Sequence, residues 1–177
     1  MSSTRLTMTE NELIEGCLSN DRLAQKELYD RYKKGMYTVA YRITNDFELA
    51  NDALQDAFIS IFKSLASFRR ESTIGAWIKR IVVRAALKKI KSQKKFEELQ
   101  DHHTGHLIDW GDFLQAEYLE KAIQALPNGY RSVFVMIEIE GFSHKEVGEM
   151  LGISVGTSKS QLFYAKKKLR ASLEDYR

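Results

Sequence analysis

Apolar residues recur every three or four positions along most of the chain, which is the period of an amphipathic α-helix. The first such stretch begins at a capping box, in which Thr9 precedes Glu12 by three positions. Longer periodic stretches predict helices over residues 21–44, 46–66 and 75–93. Since no stretch alternates with the two-residue period of a β-strand, the pattern predicts an all-α fold.

Periodicity is lost over residues 94–116, and the sequence there becomes acidic. Apolar periodicity then returns and predicts four further helices, at 117–126, 129–139, 144–151 and 155–172. The pattern therefore predicts two small helical domains joined by a linker. We place the first domain at residues 1–95, the acidic linker at 96–116 and the second domain at 117–177.

The second domain contains the signals of a helix-turn-helix. Ser143 and Glu146 form another capping box, and Gly152 lies where a helix commonly ends on a left-handed residue. Ser154 is suited to cap the following helix. The buried stripe of that last helix is expected to comprise Val155, Ser158, Leu162, Ala165 and Leu169. Its other face suits a DNA major groove, although a helical hairpin that merely packs would show the same pattern.

Composition narrows the class of protein. The 177 residues are 44% hydrophobic and 29% charged, as in ordinary globular proteins, and include one proline and one cysteine. A single cysteine excludes a disulfide scaffold and fits a reducing compartment. The chain contains neither an apolar run of membrane-spanning length nor a signal peptide, so we expect a cytoplasmic protein that does not insert into membranes.

The small net charge of +3 conceals a strongly uneven distribution. Residues 61–95 carry eleven basic residues and one acidic residue, whereas residues 96–127 carry one basic and seven acidic residues. Within the basic block, one helical stripe contains Arg80, Arg84, Lys88, Lys91 and Lys95. Like charges at this spacing repel one another, and a phosphate backbone would relieve the repulsion. The block therefore favours a nucleic-acid site, with a solvated helix face as the alternative.

Two aromatic residues, Phe68 and Trp77, flank a loop of Arg, Ser and Thr at the start of the basic helix. Aromatic side chains beside a basic groove can stack on unpaired bases. The alternative is that Trp77 is a core residue, since Ile78 and Val82 follow it on an apolar stripe.

Three stretches of the chain together resemble the bacterial extracytoplasmic-function sigma factors. Residues Ala50–Phe58 resemble the segment that docks on the clamp helices of the RNA polymerase β′ subunit. Residues Phe68–Lys91 resemble the segment that binds the −10 promoter element. Leu126-Pro127, Tyr130-Arg131 and the helix-turn-helix resemble the domain that binds the −35 element.

The resemblance implies three groups of contact residues. Contact with the polymerase, or support of that contact, is implied for Asp52, Gln55, Asp56 and Phe58. Contact with the −10 element is implied for Phe68, Arg69, Arg70, Ser72, Thr73, Trp77, Lys79, Arg80, Arg84, Lys88 and Lys91. Contact with the −35 element is implied for Thr157, Lys159, Ser160, Phe163, Tyr164 and Lys166.

Some positions depart from the usual pattern of the family. Arg84 and Lys88 stand where Asn and Asp are usual, which should strengthen phosphate contact and alter which −10 base is read. Gln161 and Tyr164 replace arginines, and this removes bidentate donors that suit guanine or phosphate. We therefore expect a −35 preference that differs from that of close relatives.

The resemblance implies a promoter-specificity subunit with no enzymatic activity and no cofactor. Its implied partners are core RNA polymerase (the β′ clamp helices and the β subunit), promoter DNA and an anti-sigma factor. The alternative is a stand-alone helix-turn-helix regulator, which should dimerise on a palindrome but leaves residues 52–58 and the basic helix unexplained. A nuclease is disfavoured because no clustered carboxylates are evident.

Three histidines, His102, His103 and His106, raise the question of a metal site in the linker. Adjacent histidines in an aperiodic segment are more often solvated, so we predict no metal there. Cys17 is expected to be a small core residue rather than a redox sensor.

Overall fold

The computed structural model of the chain describes residues 8–97 and 116–174, with the side chains of residues 94–97 and 116 excepted. The histidines at positions 102, 103 and 106 and most of the acidic linker lie outside these residues.

The described residues are helical and contain no β-strand, which confirms the all-α prediction. The α-helices are α1 (Glu10–Leu18), α2 (Arg22–Thr44), α3 (Phe47–Ser64), α4 (Ile74–Glu97), α5 (Ala116–Gln124), α6 (Asn128–Phe134), α7 (His144–Leu151) and α8 (Val155–Glu174). A 3-10 turn at Leu65–Ser67 follows α3, and a π-helical segment at Val135–Ile139 follows α6. No described helix is both long and apolar enough to cross a membrane.

The chain divides into two compact units. The first comprises Met1–Tyr41 and Asp46–Ala86, and the second comprises Arg42–Asn45 and Leu87–Arg177. Both α2 and α4 therefore contribute residues to both units. The core of the first unit is built from fully buried apolar side chains, among them Leu13, Leu28, Ile61, Ile78 and Val82.

The first helix is held against α2 at both of its ends. A Cβ atom placed on Gly16 would lie only 2.5 Å from the Cβ of Ala24, so the two helices approach as closely as a glycine permits. At the other end, Arg31 Nη2 donates a hydrogen bond to the carbonyl oxygen of Met8 at 2.8 Å. Burial of Leu13 and Ile14 between these points fixes the orientation of α1.

The local signals of the helix-turn-helix are confirmed. Ser143 Oγ accepts a hydrogen bond from the Glu146 amide at 3.2 Å, and the Glu146 carboxylate accepts one from the Ser143 amide at 2.9 Å. Gly152 ends α7 in the left-handed conformation with a φ of 68°. The Thr157 amide then donates to Ser154 Oγ at 2.9 Å, which caps α8.

Several helix boundaries differ from the predicted ones; the helix predicted at 129–139, for example, is α6 followed by the π-helical segment. Two of the differences have a local cause in the sequence. Helix α4 continues to Glu97, past the predicted end at residue 93, because the Lys, Gln and Glu residues there favour helix even without an apolar stripe. Helix α5 ends at Gln124, before Leu126 and Pro127, since a residue preceding proline is disfavoured in helical conformation.

The predicted buried stripe of α8 is correct at four of its five positions. Ser158, Leu162, Ala165 and Leu169 are buried, but Val155 is 42% exposed. Val155 is the first residue of α8, and Ser158, one turn later, is the first residue of the helix to be buried. The prediction for Val155 was therefore wrong.

Candidate nucleic-acid interface

The outer face of α3 is polar and exposed where the polymerase contact is expected. Asp52, Gln55 and Asp56 are exposed, while Ala53, Leu54 and Ala57 of the same turns are buried. The helix therefore divides cleanly into a core side and a surface side. The apolar residue Ile59, which is 55% exposed, extends this surface by one turn.

Phe58 does not belong to that surface. Its side chain is 4% exposed, and its ring meets that of Tyr29 edge-on at a centroid distance of 4.8 Å. A partner could not contact Phe58 without opening the core. Of the two roles expected for Phe58, contact with the polymerase or support of that contact, its burial favours support of the α3 face from beneath.

Four residues of the basic stripe of α4 lie on the surface. Arg80, Arg84, Lys88 and Lys91 are exposed, and Lys79 is half-buried. The opposite side of the helix provides buried core residues, among them Ile78, Val82 and Ala86. Four cations along one exposed face of α4 form a basic stripe that is suited to bind the phosphate groups of a nucleic acid.

The loop before α4, residues 68–73, begins at an aromatic pair. The rings of Phe68 and Trp77 lie 5.3 Å apart between centroids and are tilted by 44°, and both side chains are half-buried. A half-buried Trp77 is compatible with both interpretations of the sequence, a core residue and an aromatic surface beside the loop. Thr73 Oγ1 accepts a hydrogen bond from the Ala76 amide at 3.3 Å and so caps α4.

Arg70 is held by α1 within the first unit. It has a φ of 58°, in the left-handed region, and donates to Asn11 Oδ1 at 2.9 Å and to Glu15 Oε1 at 2.5 Å. The same helix supplies Glu10 Oε1, which accepts a hydrogen bond from the Ile74 amide at 3.2 Å. Sequence reasoning missed these contacts, because the partners are 55 to 64 positions apart and no local pattern connects them.

The outer face of α8 combines aromatic and polar side chains. Phe163 is 62% exposed and Tyr164 is 49% exposed, with their rings 5.5 Å apart, and Tyr130 of α6 lies 6.3 Å from Tyr164. Thr157, Lys159 and Ser160 are exposed on the first turns of the same helix. An apolar ring between hydroxyls and an ammonium group suits the mixed surface of a major groove.

Lys166 already has a partner inside the second unit. Its Nζ lies 2.6 Å from Glu138 Oε1 of the π-helical segment, and the two side chains are 40% and 36% exposed. Because solvent screens an ion pair at this exposure, a phosphate could replace the carboxylate at little cost.

Two buried polar residues shape this domain from within. Ser158, which is fully buried, lies with its Oγ 2.8 Å from His144 Nδ1, so its hydroxyl is hydrogen-bonded. Arg131 is 3% exposed and donates through Nη1 to the carbonyl oxygens of Leu126 at 2.8 Å and Gln124 at 3.3 Å. Arg131 thus stabilises the turn after α5 rather than contacting DNA.

Among the described side chains, no group of three or more His, Cys, Asp or Glu residues could hold a metal ion. Cys17 is buried, as predicted. Burial, with a smaller contribution from the carboxylate of Asp21, raises the pKa of the Cys17 thiol, which disfavours the reactive thiolate.

Comparisons with known proteins identify both halves of the chain. Residues 28–96 match Sigma-70 region 2, and residues 116–169 match Sigma-70 region 4. The ECF RNA polymerase sigma factor SigM of Mycobacterium tuberculosis strain Erdman is 30% identical over 165 residues, which cover 89% of this chain and 81% of SigM. The ECF RNA polymerase sigma factor SigW of Bacillus subtilis is 27% identical over an alignment of 186 positions. The alignment covers 96% of this chain and all of SigW.

Solved structures show the same fold. The sigma factor RpoE, in complex with the anti-sigma factor NepR from Bartonella quintana, matches with a TM-score of 0.63 at 20% identity, over 86% of this chain and 98% of RpoE. CnrH, in complex with the cytosolic domain of CnrY, matches with a TM-score of 0.55 at 24% identity, over 92% of this chain and 96% of CnrH. Together with the sequence matches, these results show that the chain belongs to the extracytoplasmic-function family of RNA polymerase sigma factors.

Proposed function

We propose that this sigma factor binds core RNA polymerase through the α3 face and captures the −10 element with residues 68–73 and the basic face of α4. The −35 element is bound by the outer face of α8. The observation that carries the proposal is that the part matching region 2 presents two exposed surfaces of different character. A stand-alone helix-turn-helix regulator would need neither of them.

The proposed domain boundaries follow the sequence prediction. Residues 1–95 form the polymerase-binding and −10-binding domain, residues 96–116 the linker, and residues 117–177 the −35-binding domain. The bounds of the two family matches, 28–96 and 116–169, support this division.

At the −10 element, the half-buried pair of Phe68 and Trp77 provides a surface for an unstacked base. The cations of α4 would then follow the phosphates on either side of that base. Stacking on an aromatic side chain is worth about 1–3 kcal/mol per base, which offsets much of the cost of unstacking.

A further partner follows from the family. RpoE was solved with an anti-sigma factor, and CnrH with the cytosolic domain of CnrY. We propose that an anti-sigma factor also controls this protein. The chain would contribute binding and promoter specificity, with no enzymatic reaction and no cofactor of its own.

Reconstitution with core polymerase tests the proposal. The chain should form a stable complex with the core enzyme and support run-off transcription from a cognate promoter. Replacing Asp52 by arginine should weaken core binding at least about tenfold, because it reverses the charge at the centre of the α3 face. The same change at Asp30, a partly exposed acid of α2, serves as the control. Absence of a stable core complex, or binding to a palindrome without polymerase, would favour the stand-alone regulator.

A second experiment addresses the −10 interaction. Trp77→Ala should impair promoter melting, measured by permanganate footprinting, more than formation of the closed complex. Equal loss of both would contradict the proposed stacking role.

A further inference from the structure

The first helix presents three polar side chains to the loop before α4. Glu15 and Asn11 both accept hydrogen bonds from the guanidinium group of Arg70, at 2.5 and 2.9 Å. At the first residue of the same helix, Glu10 accepts a hydrogen bond from the Ile74 amide at the start of α4. Helix α1 therefore contacts the loop at Arg70, in its middle, and at Ile74, where α4 begins.

These contacts come from a rigid support. Helix α1 is fixed to α2 by the close approach of Gly16 to Ala24 and by the hydrogen bond from Arg31 to the Met8 carbonyl. Leu13 and Ile14 of the same helix are buried in the core. Side chains projecting from such a helix can hold the loop in one conformation.

The start of α4 is packed against the same support. A Cβ atom on Gly75 would lie 3.1 Å from Cε1 of Tyr32, so α2 closely covers the first turn of α4. Burial, and secondarily the negative charge of Glu10, raises the pKa of Tyr32, which is consistent with Glu10 lying beside this turn. The end of the loop is thus fixed independently of Arg70.

Arg70 itself has a backbone conformation that it would not adopt unaided. A φ of 58° is unfavourable for a residue with a Cβ atom. Glycine and asparagine tolerate this conformation best, and arginine does not. The two hydrogen bonds to α1 compensate for this cost. Without them, the loop is expected to sample extended conformations around residue 70.

We propose that Asn11 and Glu15 are positioning residues for the −10 loop, which hold Arg70 in its left-handed conformation and so order residues 68–73 before DNA arrives. Preorganisation of this kind lowers the entropy cost of capturing a base. The proposal rests on the assignment of the loop to the −10 element.

Kinetics of promoter opening by the reconstituted holoenzyme test the proposal. Glu15→Gln and Asn11→Ala should each slow isomerisation from the closed to the open complex about 1.5- to fivefold, the effect expected when one exposed charged contact is removed. The affinity of the closed complex should remain unchanged, and the melting temperature of the chain should fall by no more than about 4 °C, as for the loss of one exposed contact. A general loss of folded structure would lower the melting temperature further and weaken the closed complex as well.

Two further variants make the test specific. Asp30→Asn removes exposed ion pairs with Lys26 and Lys33 on α2 and should leave isomerisation unchanged. In an Arg70→Asn background, Glu15→Gln should have no further effect, because the side chain that it holds is gone. An undiminished effect in that background would overturn the proposal, as would an unchanged or faster isomerisation of Glu15→Gln alone.

Hydrogen exchange on the chain without polymerase separates this proposal from the proposed function. The amides of residues 70–74 should exchange faster in Glu15→Gln than in the wild type, and equal rates would contradict the positioning role. If the wild-type holoenzyme opened no promoter, the assignment of the loop would fail while this measurement still decided whether α1 orders it.

Discussion

Arg131 is a charged side chain that is almost completely removed from solvent. Its guanidinium group donates to the carbonyl oxygens of Gln124, the last residue of α5, and of Leu126, just after the helix, and it also hydrogen-bonds Asn128. Arg131→Met should therefore destabilise the protein by about 2–4 kcal/mol, because buried carbonyls lose their donors. Urea unfolding followed by circular dichroism measures this change.

The control for that measurement is Arg170, an exposed arginine of α8. Arg170→Met should change the free energy of unfolding by less than about 0.5 kcal/mol. Similar effects of the two substitutions would show that charge, rather than the buried hydrogen bonds, accounts for the stability.

Cys17 offers a chemical probe of the first unit, since it is the only cysteine in the sequence. The thiol is 6% exposed and its pKa is raised, so both access and thiolate formation are suppressed. Near neutral pH its reaction with a disulfide reagent should be at least ~100-fold slower in the native protein than in urea. Rapid reaction without denaturant would show that α1 separates readily from the core.

At the scale of elements, the turn of the helix-turn-helix depends on a close approach of two backbone segments. A Cβ atom on Gly148 would lie 2.8 Å from the carbonyl oxygen of Ile153, and a backbone atom cannot move aside without deforming the turn. Gly148→Ala should therefore cost about 1–3 kcal/mol in stability and displace α8 relative to α7. Thermal unfolding and −35 duplex binding measure the two effects.

Gly156, in the first turn of α8, provides the matched substitution. A Cβ atom there would find only Ser154 Oγ at 3.7 Å, an ordinary van der Waals distance. Gly156→Ala should be neutral or stabilise the protein by about 0.5 kcal/mol through helix propensity. A stability loss equal to that of Gly148→Ala would indicate that any side chain in this motif is harmful.

The features that the sequence predicted well are local ones. Capping boxes at Thr9 and Ser143 and the left-handed Gly152 depend on residues close in sequence, so their side chains alone specify them. The burial of Leu162, Ala165 and Leu169 in α8 was equally predictable, because it follows from helical spacing.

The features that the sequence did not predict depend on distant partners or on backbone geometry. Arg70 meets Glu15 across 55 positions, and nothing in either local sequence indicates the other. The π-helical segment differs from an α-helix only in its hydrogen-bond spacing, for which Val135–Ile139 carry no distinctive residues. The burial of Arg131 could not be predicted either, because it depends on the positions of the Gln124 and Leu126 carbonyl oxygens in the folded chain.

At the scale of the whole molecule, the charge distribution predicts how the protein depends on salt. A chain with a net charge of +3 has little general attraction for DNA, so binding should depend on the cations of α4. Replacing Arg84, Lys88 and Lys91 by glutamine should reduce the slope of log affinity against log salt by about 0.7–0.9 for each phosphate that is no longer neutralised. Titration of holoenzyme–promoter complexes with KCl measures this slope.

The matched control removes the same charge from α2. Replacing Lys26, Lys33 and Lys34, all exposed, by glutamine should leave the slope unchanged. Equal slopes for both triple variants would mean that net charge, rather than the position of the α4 cations, sets the affinity.

The close approach of Gly16 to Ala24 also restricts how the sequence of this protein can drift. Since their Cβ positions would lie 2.5 Å apart, an alanine at position 16 forces the two helices to shift unless position 24 has already changed to glycine. The order of the two substitutions therefore matters, because the order that begins at position 24 avoids the steric clash and the reverse order does not. Close packing of α1 against α2 at this point therefore restricts the order in which positions 16 and 24 can change during evolution.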